Sequence, residues 1–397
     1  MTEPKIRFKR FDGEWINYSF QDFICPAGEK NRDNLDYESY SITNESGFVP
    51  QKEKFVNGGT MKNADKKMYY IVQPNTFAYN PARINVGSIG FQNLNFPVIV
   101  SSLYVLFKTA DACNDQFLSS WFKTSLFSKQ VLKAQEGGVR LYFFYDKLKN
   151  SSINLPSFKE QQAIADFFQS LDSMISLTSK KIEKLKLTLT GCMQTMFPQE
   201  GELEPKIRFK GFEGEWEKVK FSELYEPSSI KNKTYGPEKI ISVANMYFKP
   251  VSYISNDDYL KSYNVMNLGD IAFEGNKSKN YAHGRFVENF IGNGIVSHVF
   301  IVLKPKSKQY DLQFWRYLIN YEGIMGPILL RSTKHSTMMT DLVVGDFLKE
   351  NILVPSYTEQ KEIGAYFNNL DTLIALQTKR LDLLKHIKSA CLDNMFV

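Results

Sequence analysis

From Lys159 to Met196 the chain carries no proline and a single glycine, Gly191, and its apolar residues fall at Phe168, Leu171, Ile175, Ile182, Leu185, Leu189, Cys192 and Met196. Steps alternating between three and four residues place all of them on one narrow stripe of an α-helix, the heptad pattern of a helix that buries a seam against another helix. The stripe returns near the end of the chain as Phe367, Leu370, Ile374, Leu381, Leu384, Cys391 and Met395, each 199 residues after its counterpart. Both seams turn polar at the same place, Thr178 and Gln377, and the second does so again at Lys388. A polar seam residue either pins register and partner choice at a cost in stability or marks a solvated gap. Each helix runs for about 38 residues, roughly 57 Å at 1.5 Å per residue. Two such helices in one chain bury their seams most economically against each other, which predicts an intramolecular coiled coil with a globular domain attached to each helix. Ser157 precedes Glu160 by three residues and Ser356 precedes Glu359 likewise, the spacing of a capping box. Pro198 ends the first helix, and the polar run Gln199 to Glu204 leads into the second half.

The segments that frame the helices repeat too. Pro4-Lys-Ile-Arg-Phe-Lys-Arg-Phe-Asp-Gly-Glu-Trp15 returns as Pro205-Lys-Ile-Arg-Phe-Lys-Gly-Phe-Glu-Gly-Glu-Trp216, with ten of twelve positions identical. Pro156-Ser-Phe-Lys-Glu-Gln-Gln162 returns as Pro355-Ser-Tyr-Thr-Glu-Gln-Lys361. The chain therefore divides into a first globular domain (1–156), a first long helix (157–197), a linker with a second globular domain (198–355) and a second long helix (356–397).

Between these anchors the halves diverge almost completely. Residues 16–155 and 217–354 mix β-rich runs, Val98 to Phe107 and Ile295 to Leu303, with helical patches, Phe117 to Leu132 and Leu312 to Tyr321. The two β runs align, each followed by a lysine (Lys108, Lys304), so the two domains are expected to share one α+β fold despite unlike sequences. The pattern as a whole predicts an α+β chain with a pseudo-two-fold internal repeat.

Composition narrows the classes. A chain of 397 residues suits two domains. Forty-nine Lys and Arg against 43 Asp and Glu give a net charge of +6, a mild basic bias that permits a nucleic acid partner without requiring one. Cys25, Cys113, Cys192 and Cys391 lie far apart with no CxxC, and the four histidines fall at no ligand spacing, so a reduced, cytoplasmic chain without a structural metal is expected. No apolar run reaches the length of a membrane span. Phosphate-binding GxxxxGK[ST], GxGxxG nucleotide turns and GxSxG elbows are absent. Asn80-Pro81-Ala82-Arg83 faintly resembles the Asn-Pro-Pro-aromatic signature of amino-methyltransferases but lacks its second proline and its ring. No catalytic constellation is found, and no cofactor is expected on this chain.

Two glycine- and asparagine-rich stretches, Tyr79 to Gly90 and Gly275 to Arg285, read as loops. They combine arginine, lysine, asparagine, serine and tyrosine, the side chains that clamp phosphates and meet base edges. The candidate DNA contacts are Tyr79, Arg83, Asn85, Ser88 and Arg140 in the first half and Lys277, Lys279, Asn280, Arg285 and Lys334 in the second. For any one of them an ordinary solvated loop position is the alternative.

The paired framing segments carry a family likeness. Two variable domains, each preceded by Pro-x-Ile-Arg-Phe-x-x-Phe-x-Gly-x-Trp and followed by a helix opening Glu160-Gln161-Gln162-Ala163-Ile164 or Glu359-Gln360-Lys361-Glu362-Ile363, resemble the specificity subunit of type I restriction-modification systems across essentially the whole chain. Asn85-Val-Gly-Ser-Ile89 also resembles a recurring segment of that family's target-recognition domains, and the second half has no close copy of it. The resemblance implies two inverted target-recognition domains separated by two long antiparallel coiled-coil helices. It implies double-stranded DNA as ligand, two methyltransferase (modification) subunits docked on the helices and domains, and restriction subunits with translocase activity in the larger assembly. S-adenosylmethionine, Mg and ATP would then sit only on those partner subunits. Two like domains related by a two-fold meet a duplex about one helical turn apart, ~34–36 Å. Unlike loops then imply an asymmetric bipartite target, with the helix pair as the ruler of its spacer. The rival from another class is a coiled-coil scaffold binding protein or RNA. Divergence of both domains inside near-identical frames favours DNA readers.

Overall fold

The computed structural model describes residues 3–44, 47–54, 65–134, 142–250, 257–306, 309–335 and 339–397. The chain forms two compact units, Met1–Ser179 with Lys379–Val397, and Lys180–Thr378. The boundary falls inside both long helices, Phe158–Met196 and Tyr357–Asn394, rather than at their beginnings at 157 and 356. Each helix opens in the unit of its own repeat and ends in the unit of the other.

In the first unit a four-stranded antiparallel sheet has the order Ile24–Pro26, Val105–Thr109, Thr76–Tyr79, Ile89–Gln92. In the second the order is Tyr225–Ser228, Ile301–Pro305, Ile271–Glu274, Arg285–Glu288. The strand after each tryptophan, Ile16–Ser19 or Glu217–Lys220, pairs with the strand that precedes each long helix, Ser152–Leu155 or Asn351–Val354. One topology thus serves two sequences that share almost nothing between the anchors, as the aligned β runs predicted.

Two expectations need refinement. Each aligned β run is two strands in different sheets rather than one. Val98–Val100 and Val105–Thr109 are split by a turn in which Tyr104 N donates to Ser101 O, and Gly294–Val296 and Ile301–Pro305 by one in which Phe300 N donates to Ser297 O. The turn residues that break the first run are hidden in an apolar stretch (Leu103 is exposed within it), which is why period alone reads it as continuous. The helical patch from Phe117 to Leu132 is likewise two helices, Asp115–Trp121 and Ser125–Ala134, with Thr124 Oγ1 closing the first onto Trp121 O.

The repeated motifs are bolts. Arg7 places a two-pronged fork on Glu160, Nε to Oε1 and Nη2 to Oε2 at 2.8 Å each, and a further donor on Gly13 O. Arg208 does the same to Glu359 at 2.6 and 2.8 Å, with Gly214 O as its third partner. Both glutamates are fully buried, so each carboxylate depends on its arginine. This corrects half of the expected capping box: Ser157 Oγ and Ser356 Oγ accept from the glutamate amides, but the carboxylates turn away to the arginines. The neighbouring glutamines fasten the next element. Gln161 Oε1 accepts from Asn114 N, and Asn114 caps helix Asp115–Trp121. Gln360 Oε1 accepts from Asp311 N, and Asp311 caps helix Leu312–Leu318. Each Glu-Gln pair thus ties the N-terminal motif and a domain helix to the start of a long helix.

The core of the first unit gathers Trp15, Phe20, Phe77, Phe107, Phe117, Trp121 and Phe127 with Phe168 and Leu171 of the first long helix and Met395 and Phe396 at the end of the second. Phe396 stacks on Phe168 at 5.8 Å and meets Phe117 at 5.2 Å. In the second unit Phe197, its counterpart, lies 5.5 Å from Phe367 and 6.0 Å from Phe314. The seam pattern holds within each unit. Phe168, Leu171 and Thr178 are buried and Ile175, Leu384 and Leu381 half-buried in the first; Ile182, Phe367 and Leu370 are buried and Leu185, Leu189, Ile374 and Gln377 half-buried in the second. Thr178 Oγ1 donates to Met174 O of its own helix, so this polar seam residue is satisfied locally and needs no partner across the seam.

Candidate nucleic-acid interface

The two glycine-rich stretches are equivalent connections. Residues 80–88 join the third and fourth strands of the first sheet, and residues 275–284 join the matching strands of the second. In the first, Asn80 Oδ1 accepts from Ala82 N and Gly87 takes a positive φ of 85°, closing a tight turn back onto Arg83 O through Ser88 N. Asn80-Pro-Ala-Arg83 is therefore a turn device. In the second, Gly284 at φ 76° lets the backbone pass Glu274 O, where a Cβ would stand 2.7 Å away. Thr340 N donates to Gly275 O at 2.8 Å, which brings the hairpin Thr333–His335 with Thr340–Leu342 beside the loop.

This arrangement sorts the sequence candidates. Arg83 and Asn85 are exposed on the first loop, and Lys277, Lys279 and Asn280 are exposed on the second, with Lys334 on the adjoining hairpin. Two candidates are corrected. Tyr79 is wholly buried in the sheet, and burial drives its hydroxyl far above the usual phenol range. Ser88 is buried too, its Oγ donating to Ile42 O at 3.0 Å. Neither side chain reaches the surface. Arg285 is half-buried, with Nε on Glu274 Oε2 at 2.8 Å and Nη2 on Ala244 O at 2.7 Å, so it orders the loop base. Arg140 lies outside the described residues.

Each loop overhangs a cleft whose far wall is a long helix. In the first unit the cleft encloses about 840 Å³ and is lined by Asn44, Asn85, Gln116, Ser119, Lys123, Asp172 and Lys388, among others. In the second it encloses about 260 Å³ between Asn245, Tyr281, Arg285, Arg316, Asn320 and Asp371. Asp172 and Asp371 are counterparts at the 199-residue offset. The N-cap asparagine and aspartate align the two domain helices, so Ser119 matches Arg316 and Lys123 matches Asn320. The cation has moved by one helical turn. Lys123 Nζ stands 3.9 Å from Asp172, whereas Asp371 accepts from Tyr317 Oη at 2.6 Å and from Arg316 Nη2 at 3.4 Å, with the Arg316 guanidinium 3.9 Å above the Phe290 ring. Behind the second cleft, burial raises the Glu288 carboxyl well above the carboxylate range while Tyr310 Oη donates to it at 2.6 Å.

Sequence reasoning missed Lys123, Arg316 and the two aspartates as cleft residues. Asp172 and Asp371 directly follow the seam leucines Leu171 and Leu370 with nothing in the pattern to mark them, and Lys388 is visible only as a seam break. Nothing local to Lys123 marks it. Among the described residues no group of three or more His, Cys, Asp or Glu is placed to hold a metal ion, and no helix is long and apolar enough to cross a membrane.

The family model described as the type I restriction modification DNA specificity domain matches the chain twice, over residues 20–187 and 213–386. The structure of a type I restriction-modification S subunit from M. genitalium is similar over 100% of this chain and 99% of its own, with a TM-score of 0.60 at 13% identity. A second structure, from a study of complex assembly and conformational transition in the type I system, is similar over 95% and 96% with a TM-score of 0.52 at 13% identity. The HsdS subunit of Thermoanaerobacter tengcongensis is also similar, at 14% identity over 96% of each chain, with a TM-score of 0.48. Among the curated proteins no relative matches. The two matched segments span both globular domains and most of both long helices, and the chain belongs to the type I restriction-modification DNA specificity family.

Proposed function

We propose that this chain is the non-catalytic DNA reader of a type I complex and that its two clefts read the two halves of an asymmetric, bipartite duplex site. The observation that carries the reading is the pair of equivalent clefts with unlike linings: amide-rich and wide in one unit, arginine- and tyrosine-bearing in the other. Amides and guanidinium groups are the side chains that meet adenine and guanine edges, so unlike linings select unlike half-sites. Methylation of adenine, with S-adenosylmethionine, belongs on this proposal to modification subunits, and ATP and Mg to restriction subunits. A cytoplasmic location follows from that role.

The long helices offer the docking face. Met174 and Leu177 in the first unit and Leu373 and Leu376 in the second are exposed, and they are counterparts at the 199-residue offset. Repeated apolar residues pointing away from the seam suit two equivalent protein partners. Co-expression with modification subunits in a methylation-free host, followed by single-molecule sequencing, tests the whole reading. Modified adenines in one bipartite motif are expected. Binding of protein or RNA partners without any DNA modification would support the scaffold instead.

A further inference from the structure

Part of the first unit's cleft wall is helix rather than reading domain. Asp172 of the first long helix and Lys388 of the second meet there in an ion pair, and Lys123 reaches the same carboxylate at 3.9 Å. All three line the cleft beside Asn85 and Ser119. Two ammonium groups share one carboxylate, which leaves that wall with one net positive charge.

Lys388 is the revealing member. It occupies a seam position whose counterpart is Leu189, and Leu189 packs against the core of the second unit. A leucine suffices for a seam. A lysine there must be desolvated, and an ion pair in a partly buried place seldom returns that cost. Its side chain is one-fifth exposed and lines the cleft. Burial and the like charge of Lys388 push the Lys123 ammonium down while Asp172 pulls it up, so a further anion beside the two ammonium groups would favour its charged form. In the second cleft the matching carboxylate is held differently: Asp371 accepts from Tyr317 and Arg316.

We propose that Lys123 and Lys388 together seat one backbone phosphate of the half-site read by the first unit, with Asp172 holding both ammonium groups in place when no DNA is bound. This rests on the DNA-reading proposal and adds a crossed assignment. A cation from the second repeat's helix serves the first repeat's reader.

The test uses the chain in complex with its modification subunits and a duplex carrying the methylated motif. Lys123→Met and Lys388→Met are each expected to lower the slope of log affinity against log salt by about 0.9, the signature of one lost phosphate contact. Asp172→Asn is expected to act in the opposite sense and tighten binding, which a merely structural role would not produce. Ethylation interference should lose one phosphate in the first half-site alone in both lysine variants. Unchanged slopes, or a lost contact in the other half-site, would overturn the proposal. Calorimetric titration with inorganic phosphate alone separates sources, and binding of free phosphate as tight as that of duplex would overturn the backbone assignment. Should Lys388→Met fail to fold, Lys123, which lies outside the helix seam, carries the test. If the wild-type complex binds no duplex at all, the DNA-reading proposal itself falls.

Discussion

The two clefts are one construction with two chemistries. Strand order, the arginine–glutamate bolt, the glutamine that fastens the domain helix, and the aspartate on the long helix recur in both units. The partner of that aspartate does not. Where the first unit has serine and lysine at 119 and 123, the second has arginine and asparagine at 316 and 320, so the positive charge sits one turn apart on otherwise matching helices. A fixed frame lets such a shift alter what the cleft meets without altering where the cleft lies. On the proposed reading, that shift lets one fold carry two specificities.

The largest expected effect is on the frame, and it should be the same in both units. Arg7→Ala and Arg208→Ala each strand a buried glutamate and are expected to cost about 3–5 kcal/mol in urea unfolding. A loss below about 1 kcal/mol in one unit only would break the equivalence. Phe396→Ala and Phe197→Ala remove matching plugs and should cost about 3–5 kcal/mol each.

The next effect should separate the units. Asp270 is buried at the start of the third strand, where the first unit has Thr76. Burial pushes its carboxyl up to about 6. A raised folded pKa means that the native state binds the extra proton, so the stability this group contributes is present below its unfolded pKa and lost as pH rises through 6. Stability of the second unit is expected to fall by about 2–3 kcal/mol across that window, and Asp270→Asn to flatten the profile. A profile unchanged by the substitution would refute the assignment.

Smaller still, Lys388→Leu restores the seam residue of the other repeat. It is expected to leave stability unchanged or raise it by about 1 kcal/mol while weakening duplex binding, so melting and affinity should move in opposite directions. Smallest on the fold, Leu177→Lys and Leu376→Lys are expected to change stability by no more than about 0.5 kcal/mol yet to lower the recovery of modification subunits in co-purification. Unaltered recovery for both would remove the outer helix face from the docking proposal.

The helices, the repeat and the shared fold were legible because each is written in period: seams of threes and fours, motifs at constant offset, β runs aligned on Lys108 and Lys304. The two stretches read as loops are connections between strands. Near the two ends of the first, sequence reasoning misjudged Tyr79 and Ser88, because a polar-tipped side chain reads the same in sequence whether it faces solvent or, as here, is buried. Lys123, Arg316 and Lys388 were out of reach for another reason. Their meaning depends on a long helix arriving from elsewhere in the chain, and no local pattern encodes that arrival.

The crossing of the helix ends also sets an order of events during synthesis. The core of the second unit draws on residues between Leu185 and Leu370 and is continuous in the chain. The core of the first unit lacks two of its members until Met395 and Phe396 have been made. Domains acquire structure as the chain emerges, N-terminal ones ordinarily first. Here the half translated first is completed only after the core residues of the second half have been made, when Met395 and Phe396 reach its aromatic socket.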